Sequence, residues 1–279
     1  MQVYRGMDIG TAKPSKAERA TVAHHLVDAA DPWEDWSVAR FQAEARAAVA
    51  AIEARGHRAL LLGGTGLYVQ AVVDDLRFPG EDLALRAELT ARVEGEPDGL
   101  AAAYRELERA DPPAAARIEP SNLRRIVRAL EVIRETGRPF SSFGPGVLQV
   151  HADPRPVRTV GLWIPRSVGA QRIEQRIVAM IEAGFVDEVA RLAGEPGRLS
   201  STAREAIGYK EILAHLDGSW TLPYAQRRIA DRTRGLARRQ RVWFRRDRRI
   251  AWIGCAGNSL ATLPAVLATW NRTIVLGGL

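Results

Sequence analysis

The chain has 279 residues and a single cysteine, Cys255, so it forms no internal disulfide and suits a reducing, cytoplasmic setting. Its composition is that of a globular protein: no apolar stretch approaches membrane-span length, and the opening residues show no signal-peptide pattern. A net charge of +7 points to an anionic partner, and the length allows one domain with an insertion or two small domains.

The first stretch, Met1-Gln-Val-Tyr-Arg-Gly-Met-Asp-Ile-Gly-Thr-Ala-Lys-Pro14, begins with what reads as the tail of a strand. Gly6, Gly10 and Pro14 then mark an irregular segment, either a surface loop or the polar lining of a site. His24 and His25 have no Cys or His partners at ligand spacing, so they read as structural histidines and the metal set is empty. Ser37 caps a helix to about Arg55, with Val38, Phe41, Ala45, Val49 and Ile52 at helical spacing and Gly56 ending it.

Arg58–Leu62 follows, an all-apolar run after Arg58 that suits a strand buried on both faces. Gly63-Gly64-Thr65-Gly66 comes next, and then a helical segment with Leu67, Ala71, Val72, Val73 and Leu76. Strand, glycine turn and helix form the geometry in which backbone N–H groups meet an anion, and Thr65 adds a hydroxyl at the helix mouth. The same pattern also suits an ordinary joint with no ligand. A helix feeding a strand that feeds a helix implies a parallel sheet.

Between Gly80 and about Pro156 the pattern is helical throughout. Leu85, Leu89 and Val93 mark one helix; Leu100, Tyr104 and Leu107 a second; Asp111-Pro112 starts a short third. Ser121 or Asn122 caps a fourth, with Ile126, Leu130 and Ile133 inward, Gly137 closing it, and Arg124, Arg125 and Arg128 within two turns. Arg158–Ile164 returns to the sheet as a strand. The next helix carries Ile173, Ile177 and Ile181, with Arg172 and Arg176 four apart, so that one anion can meet both. Gly184-Phe185 breaks it. A Gly/Ser/Pro-rich loop ends at a capping box, Thr202-Ala-Arg-Glu205, before a helix whose core face is Ala206, Tyr209, Leu213 and Leu216.

From Tyr224 to Arg249 there are eleven arginines against Asp231 and Asp247. A helix from about Pro223 to Arg246 places Ile229, Leu236 and Trp243 on an inward seam. Arg227, Arg234, Arg238, Arg241, Arg245 and Arg248 run down another face. Like charges at such spacing repel, and spaced phosphates relieve the repulsion, so this helix reads as a nucleic-acid surface. A short strand, Ile250–Ile253, follows.

Taken together, these stretches resemble the tRNA dimethylallyltransferases. The resemblance rests on the opening stretch to Pro14, His24-His25-Leu26, Gly63-Gly64-Thr65-Gly66-Leu67-Tyr68 and Asn122-x-x-Arg125-x-x-Arg128-Ala129-Leu130-Glu131. Ile207-Gly208-Tyr209-Lys210 and Arg239-Gln240-x-x-Trp243-Phe244-Arg245 complete it, in the family's order. It implies an α/β fold, a P-loop-NTPase-like parallel sheet core in 1–80 and 157–279, and an all-helical insertion in 81–156 that grips tRNA. The implied reaction moves a dimethylallyl group from dimethylallyl diphosphate to N6 of the adenine 3′-adjacent to the anticodon, in a cytoplasmic monomer using Mg²⁺. Thr65 is the implied catalytic contact. Gly63, Gly64, Arg172 and Arg176 are candidates for the diphosphate, the two arginines from the spacing argument alone. The implied tRNA contacts are Met1, Gln2, Thr65, Arg86, Arg124, Arg125, Ile126, Val127 and Arg128. They continue with Glu205, Ala206, Ile207, Gly208, Tyr209 and Lys210, and with Arg238, Arg239, Gln240, Arg241, Val242, Trp243, Phe244 and Arg245.

One departure stands out. The family opens with a strand, a Gly-x-x-x-x-Gly-Lys-Ser/Thr loop and an Asp-Ser whose Asp is the general base, all ahead of the Met1-Gln2 match, and none is found in this sequence. The polypeptide as written is therefore expected to be N-terminally truncated, to show an exposed apolar gap in its sheet and to catalyse little or no transfer. A non-catalytic RNA-binding protein and a prenyltransferase of free adenine nucleotides are the alternatives.

Overall fold

The computed structural model of the protein describes residues 1–143, 157–195 and 199–271. Its contacts divide the chain into two units, Met1–Val72 with Asp153–Leu279, and Val73–Ala152. The end of the helical segment expected near Pro156, part of the Gly/Ser/Pro-rich loop and the last eight residues lie outside the described residues.

In the first unit the opening segment folds inward. Tyr4 and Met7 are fully buried, and Tyr4 forms an isolated parallel bridge with Ala30. Helix α1 (Lys16–Thr21) has a capping box between Ser15 and Glu18. Helix α2 (Val38–Ala54) starts where Ser37 Oγ accepts from the Arg40 N–H at 3.2 Å, and Gly56, with φ of +74°, follows its end. Phe41 of α2 packs on Tyr68 of α3 (Gly66–Val73), ring centroids 4.6 Å apart. Leu76 lies beyond the end of α3.

Arg58–Leu62 is not a strand. Leu60, Leu61 and Leu62 are 65, 38 and 90 % exposed, and no strand pairs with them among the described residues. A strand needs a neighbour to take its backbone donors and acceptors, and an apolar run alone does not supply one.

Among the described residues the elements of the second unit are all helical: α4 (Leu83–Gly95), α5 (Gly99–Ala110), α6 (Pro112–Ala115) and α7 (Leu123–Thr136). Leu89, Leu107, Ile126 and Leu130 fill its core, each side chain contributing about 2 kcal/mol by leaving water. The helix starts are capped by side chains. Asp82 accepts from the Leu85 N–H and Asn122, not Ser121, from the Arg125 N–H. The buried Asp111 caps α6 and also takes both the N–H and the hydroxyl of Ser141. Gly137 closes α7 in the left-handed region.

The chain re-enters the first unit through β1 (Thr159–Trp163), followed by α8 (Arg166–Glu182). Gly184, at φ +92°, turns it into α9 (Phe185–Gly194). A short α10 (Ser201–Arg204), α11 (Tyr209–Leu216) and the long α12 (Leu222–Phe244) lead to β2 (Ile250–Gly254) and α13 (Leu263–Asn271). β1 and β2 pair in parallel, in register from Thr159 with Ile250 to Trp163 with Gly254. The partners are 91 residues apart, ample for the crossover that parallel strands require. The core of this unit collects Tyr4, Met7, Trp36, Phe185, Val189, Tyr209, Ile212 and Ile229.

Three local expectations are corrected. Ser200, not Thr202, caps the turn before Glu205, with its Oγ taking the Ala203 N–H. Leu216 is exposed on α11 because the helix ends there. Leu236 is exposed on α12, so the inward seam holds at Ile229 and at Trp243, which is half-buried, and not between them.

Candidate nucleic-acid interface

In the first unit the glycine turn lies directly against α12. Gln240 donates to the Gly64 carbonyl at 2.9 Å, and a side chain at Gly66 would run into the indole of Trp243. Glycine at 66 is thus required by the close approach of the arginine helix, whereas at 64 a side chain would displace only the flexible end of Gln240. Gly63 and Thr65 remain exposed, and the Thr65 hydroxyl makes no hydrogen bond among the described residues. The Thr65 carbonyl accepts from Tyr68 and Val69, which opens α3 immediately after the turn.

The arginines of α12 and the residues after it divide into two sets. Arg232 pairs with Glu211, Arg234 with Glu174 and Asp231, and Arg249 with Asp247. Arg241 donates to the Ile164 carbonyl and lies over the Trp163 ring, 4.9 Å from its centroid, with Arg245 at 6.0 Å. Trp252 of β2 meets the same indole edge-on. Arg227, Arg228, Arg238, Arg239, Arg245, Arg246 and Arg248 are exposed and have no carboxylate partner among the described residues. Val242 is exposed beside them, and Phe244 is half-buried.

The motif from Glu205 to Lys210 is only partly a surface. Glu205 and Lys210 are exposed and pair at 2.7 Å. Ala206 and Tyr209 are buried in the core, so their side chains reach no ligand. Ile207 packs against the same core, and Gly208 at φ +98° turns the chain into α11. The Tyr209 hydroxyl donates to Glu188 at 2.6 Å. Burial first, then this hydrogen bond, pushes the phenol well above its usual range and keeps it a donor.

Opposite Tyr209, the Glu188 carboxylate also accepts the N–H groups of Asp8, Ile9 and Gly10. Lys13, with its side chain buried, reaches the Tyr4 carbonyl, Asp8 and Asp28. Gln2 holds the Thr11 and Ala12 carbonyls through its Nε2, while Met1 is exposed. The expectation of one anion shared by Arg172 and Arg176 is altered: Arg172 donates to the Gly257 carbonyl, and Arg176 is exposed. His24 and His25 are exposed, with His24 Nδ1 2.7 Å from the Val22 carbonyl.

In the second unit, Glu131 is fully buried between two arginines. It accepts from Arg86 Nε at 2.7 Å, from Arg128 Nη1 at 2.5 Å and from the Asp82 N–H. Arg128 also donates to the carbonyls of Pro79 and Gly80. Arg86 and Arg128, expected to touch RNA, thus fasten the start of this unit to α7. Ile126 and Val127 are buried in its core and their side chains are likewise unavailable. Arg124 and Arg125 point to solvent and have no ion pair among the described residues.

Sequence reasoning missed Glu131 and Glu188 as organising residues. The signal was present for Glu188: an acid among Phe185, Val189 and Leu192, on the apolar stripe of its own helix.

The family model described as IPP transferase matches residues 2–247. The chain belongs to this family. Among the IPP transferase relatives is a tRNA dimethylallyltransferase of Kineococcus radiotolerans, 49 % identical over 91 % of this chain and 78 % of the relative. Another, of Bifidobacterium animalis subsp. lactis, is 46 % identical over 93 % of this chain and 73 % of its own. The fold is similar to the crystal structure of the tRNA isopentenylpyrophosphate transferase of Bacillus halodurans, with TM-score 0.66 and 37 % identity. That match covers 95 % of this chain and 82 % of the other. It is also similar to a eukaryotic dimethylallyltransferase acting on tRNA, with TM-score 0.77 and 26 % identity over 99 % and 73 %.

Proposed function

We propose that the protein transfers a dimethylallyl group from dimethylallyl diphosphate to N6 of the adenine 3′-adjacent to the anticodon in tRNA. The observation that carries this reading is the exposed glycine turn fixed directly against the arginine helix. A turn suited to a small anion packs on the helix that carries the exposed arginines, in an IPP transferase chain.

The chemistry asks little of covalent catalysis. The allylic C–O bond to diphosphate breaks, a bond from N6 to the same carbon forms, and the proton N6 loses passes to the departing diphosphate or to solvent. The protein's part is to hold the departing diphosphate and to place the amine in line. The free Thr65 hydroxyl and the N–H groups of Gly63 and Gly64 are the proposed diphosphate contacts, with Arg176 nearby in sequence to the engaged Arg172 as a further candidate. Arg238, Arg239 and Arg245, with Arg124 and Arg125 in the helical unit, are the proposed phosphate contacts for the anticodon stem-loop; base-edge readout is left to Met1 and Gln2. Among the described residues no group of three His, Cys, Asp or Glu side chains is placed to hold a metal ion. No described helix is long and apolar enough to cross a membrane. A cytoplasmic monomer is the proposed setting.

The test is acceptor competition. The protein is incubated with dimethylallyl diphosphate, tRNA and AMP, and the products are read by mass spectrometry. What N6-dimethylallyl adenosine forms is expected in tRNA, with AMP unmodified, and at the low level expected of a sequence without a Gly-x-x-x-x-Gly-Lys loop. Modification of AMP in preference to tRNA would overturn the reading.

A further inference from the structure

Asp8, Ile9 and Gly10 lie in an irregular segment with no helix or strand to receive their N–H groups. All three point at one carboxylate, that of Glu188, at 2.9, 2.7 and 3.2 Å. With the Tyr209 hydroxyl at 2.6 Å, four donors meet the four lone-pair positions of a carboxylate. One turn further along α9, Arg191 donates to the Gly6 carbonyl at 3.1 Å. A single helix therefore fastens both ends of the Gly6–Gly10 stretch.

The fastening does not stop at Gly10. The Thr11 hydroxyl donates back to the Met7 carbonyl at 2.6 Å, and the next two carbonyls, of Thr11 and Ala12, receive Gln2 Nε2 at 3.1 and 2.9 Å. With both amide protons of Gln2 directed inward, its Oε1 is left as an acceptor without a hydrogen bond among the described residues, and the residue is half-exposed. We propose that Glu188 is a positioning residue: by fixing the backbone of residues 8–10 it sets the carbonyls that orient Gln2, and so presents the Gln2 Oε1 to a donor on the bound RNA, a base amino group or a 2′-hydroxyl. This rests on the reading of the protein as tRNA-binding. Glu188 itself touches no RNA, being buried behind the segment it holds.

The experiment is a double-mutant cycle of Glu188→Gln and Gln2→Ala. Its first readout is affinity for an anticodon stem-loop RNA at fixed salt, by fluorescence anisotropy. Its second is hydrogen exchange of the amides of residues 8–10. Replacing the carboxylate with an amide turns two donors toward the N–H groups. Glu188→Gln should speed exchange at Asp8, Ile9 and Gly10 by about tenfold or more while the amides of α12 keep their protection. Each single variant should weaken RNA binding by about tenfold, and the pair should bind within about twofold of the weaker single variant, because both remove one contact.

Multiplying effects in the pair would overturn the proposal, as would faster exchange at residues 8–10 with unchanged affinity. So would loss of affinity in step with loosening of α12, which is the mark of a merely structural role. Should Glu188→Gln fail to fold, Glu188→Asp, which keeps the charge and withdraws it by one methylene, carries the same cycle. If the parent protein binds no such RNA, the functional reading falls and this inference with it. If it binds and the cycle is multiplicative, only this inference falls.

Discussion

Arg124 and Arg128 stand one turn apart on α7 and meet opposite fates. Arg128 is held by the buried Glu131 and by two backbone carbonyls, whereas Arg124 faces solvent. Arg128→Ala should therefore destabilise the protein by about 3 kcal/mol, because it strips a partner from a buried carboxylate. Arg124→Ala should leave thermal stability unchanged and weaken RNA binding. Urea unfolding and an RNA titration of both variants separate the two roles. Asp28 gives a pH test. Burial pulls its carboxyl upward, but Lys13 and Arg19 outweigh this and hold it below the usual carboxylate range. A carboxyl lowered on folding contributes stability above its unfolded pKa of about 3.9, and that stability is lost as pH falls through the lower folded value. Asp28→Asn should melt below the parent at pH 7, with the gap closing below about pH 4 in a series of melts. Only the Arg128–Glu131 pair, three apart on one helix, was within reach of the sequence; Arg86 lies 45 residues from Glu131 and Asp8 180 from Glu188, and spacing reveals only neighbours on one element.

Helices were the readable elements, because their signals are local. Ser37, Asn122 and Gly137 stand at their expected caps, and the apolar residues of α5 and α7 fall on their buried faces. The run Leu60–Leu62 was misread for the complementary reason: an apolar stretch states a preference for burial, and strand formation also needs a partner backbone. The glycine turn beside it was legible as a turn, but not the reason for its glycines. Gly66 is small because Trp243, 177 residues later, occupies the space of a side chain. Gly66→Ala should push Trp243 aside, costing about 1–3 kcal/mol in urea unfolding and separating the turn from α12. A variant as stable as the parent would show that the approach is loose.

The whole molecule joins an α/β unit carrying the turn and the arginine helix to a helical unit with its own core, and each can be read for charge. The α/β class and the strands at β1 and β2 were legible; the parallel sheet was expected from Arg58–Leu62, which is no strand, and that β1 pairs directly with β2 was not legible, since strand order is set by packing. The motifs located the family because their order along the chain is more specific than any one of them. The chain's excess of positive charge supports the account only if the unpaired arginines meet phosphate. The most direct measurement is the affinity of the protein for an anticodon stem-loop RNA across a salt series. It compares the parent with the variant carrying Arg238→Glu and Arg245→Glu, two exposed arginines with no carboxylate partner among the described residues. The account predicts that parent affinity falls steeply with salt, and that the variant binds about a hundredfold more weakly with a slope shallower by about 1–2. Equal affinity and equal salt dependence in the two proteins would contradict it.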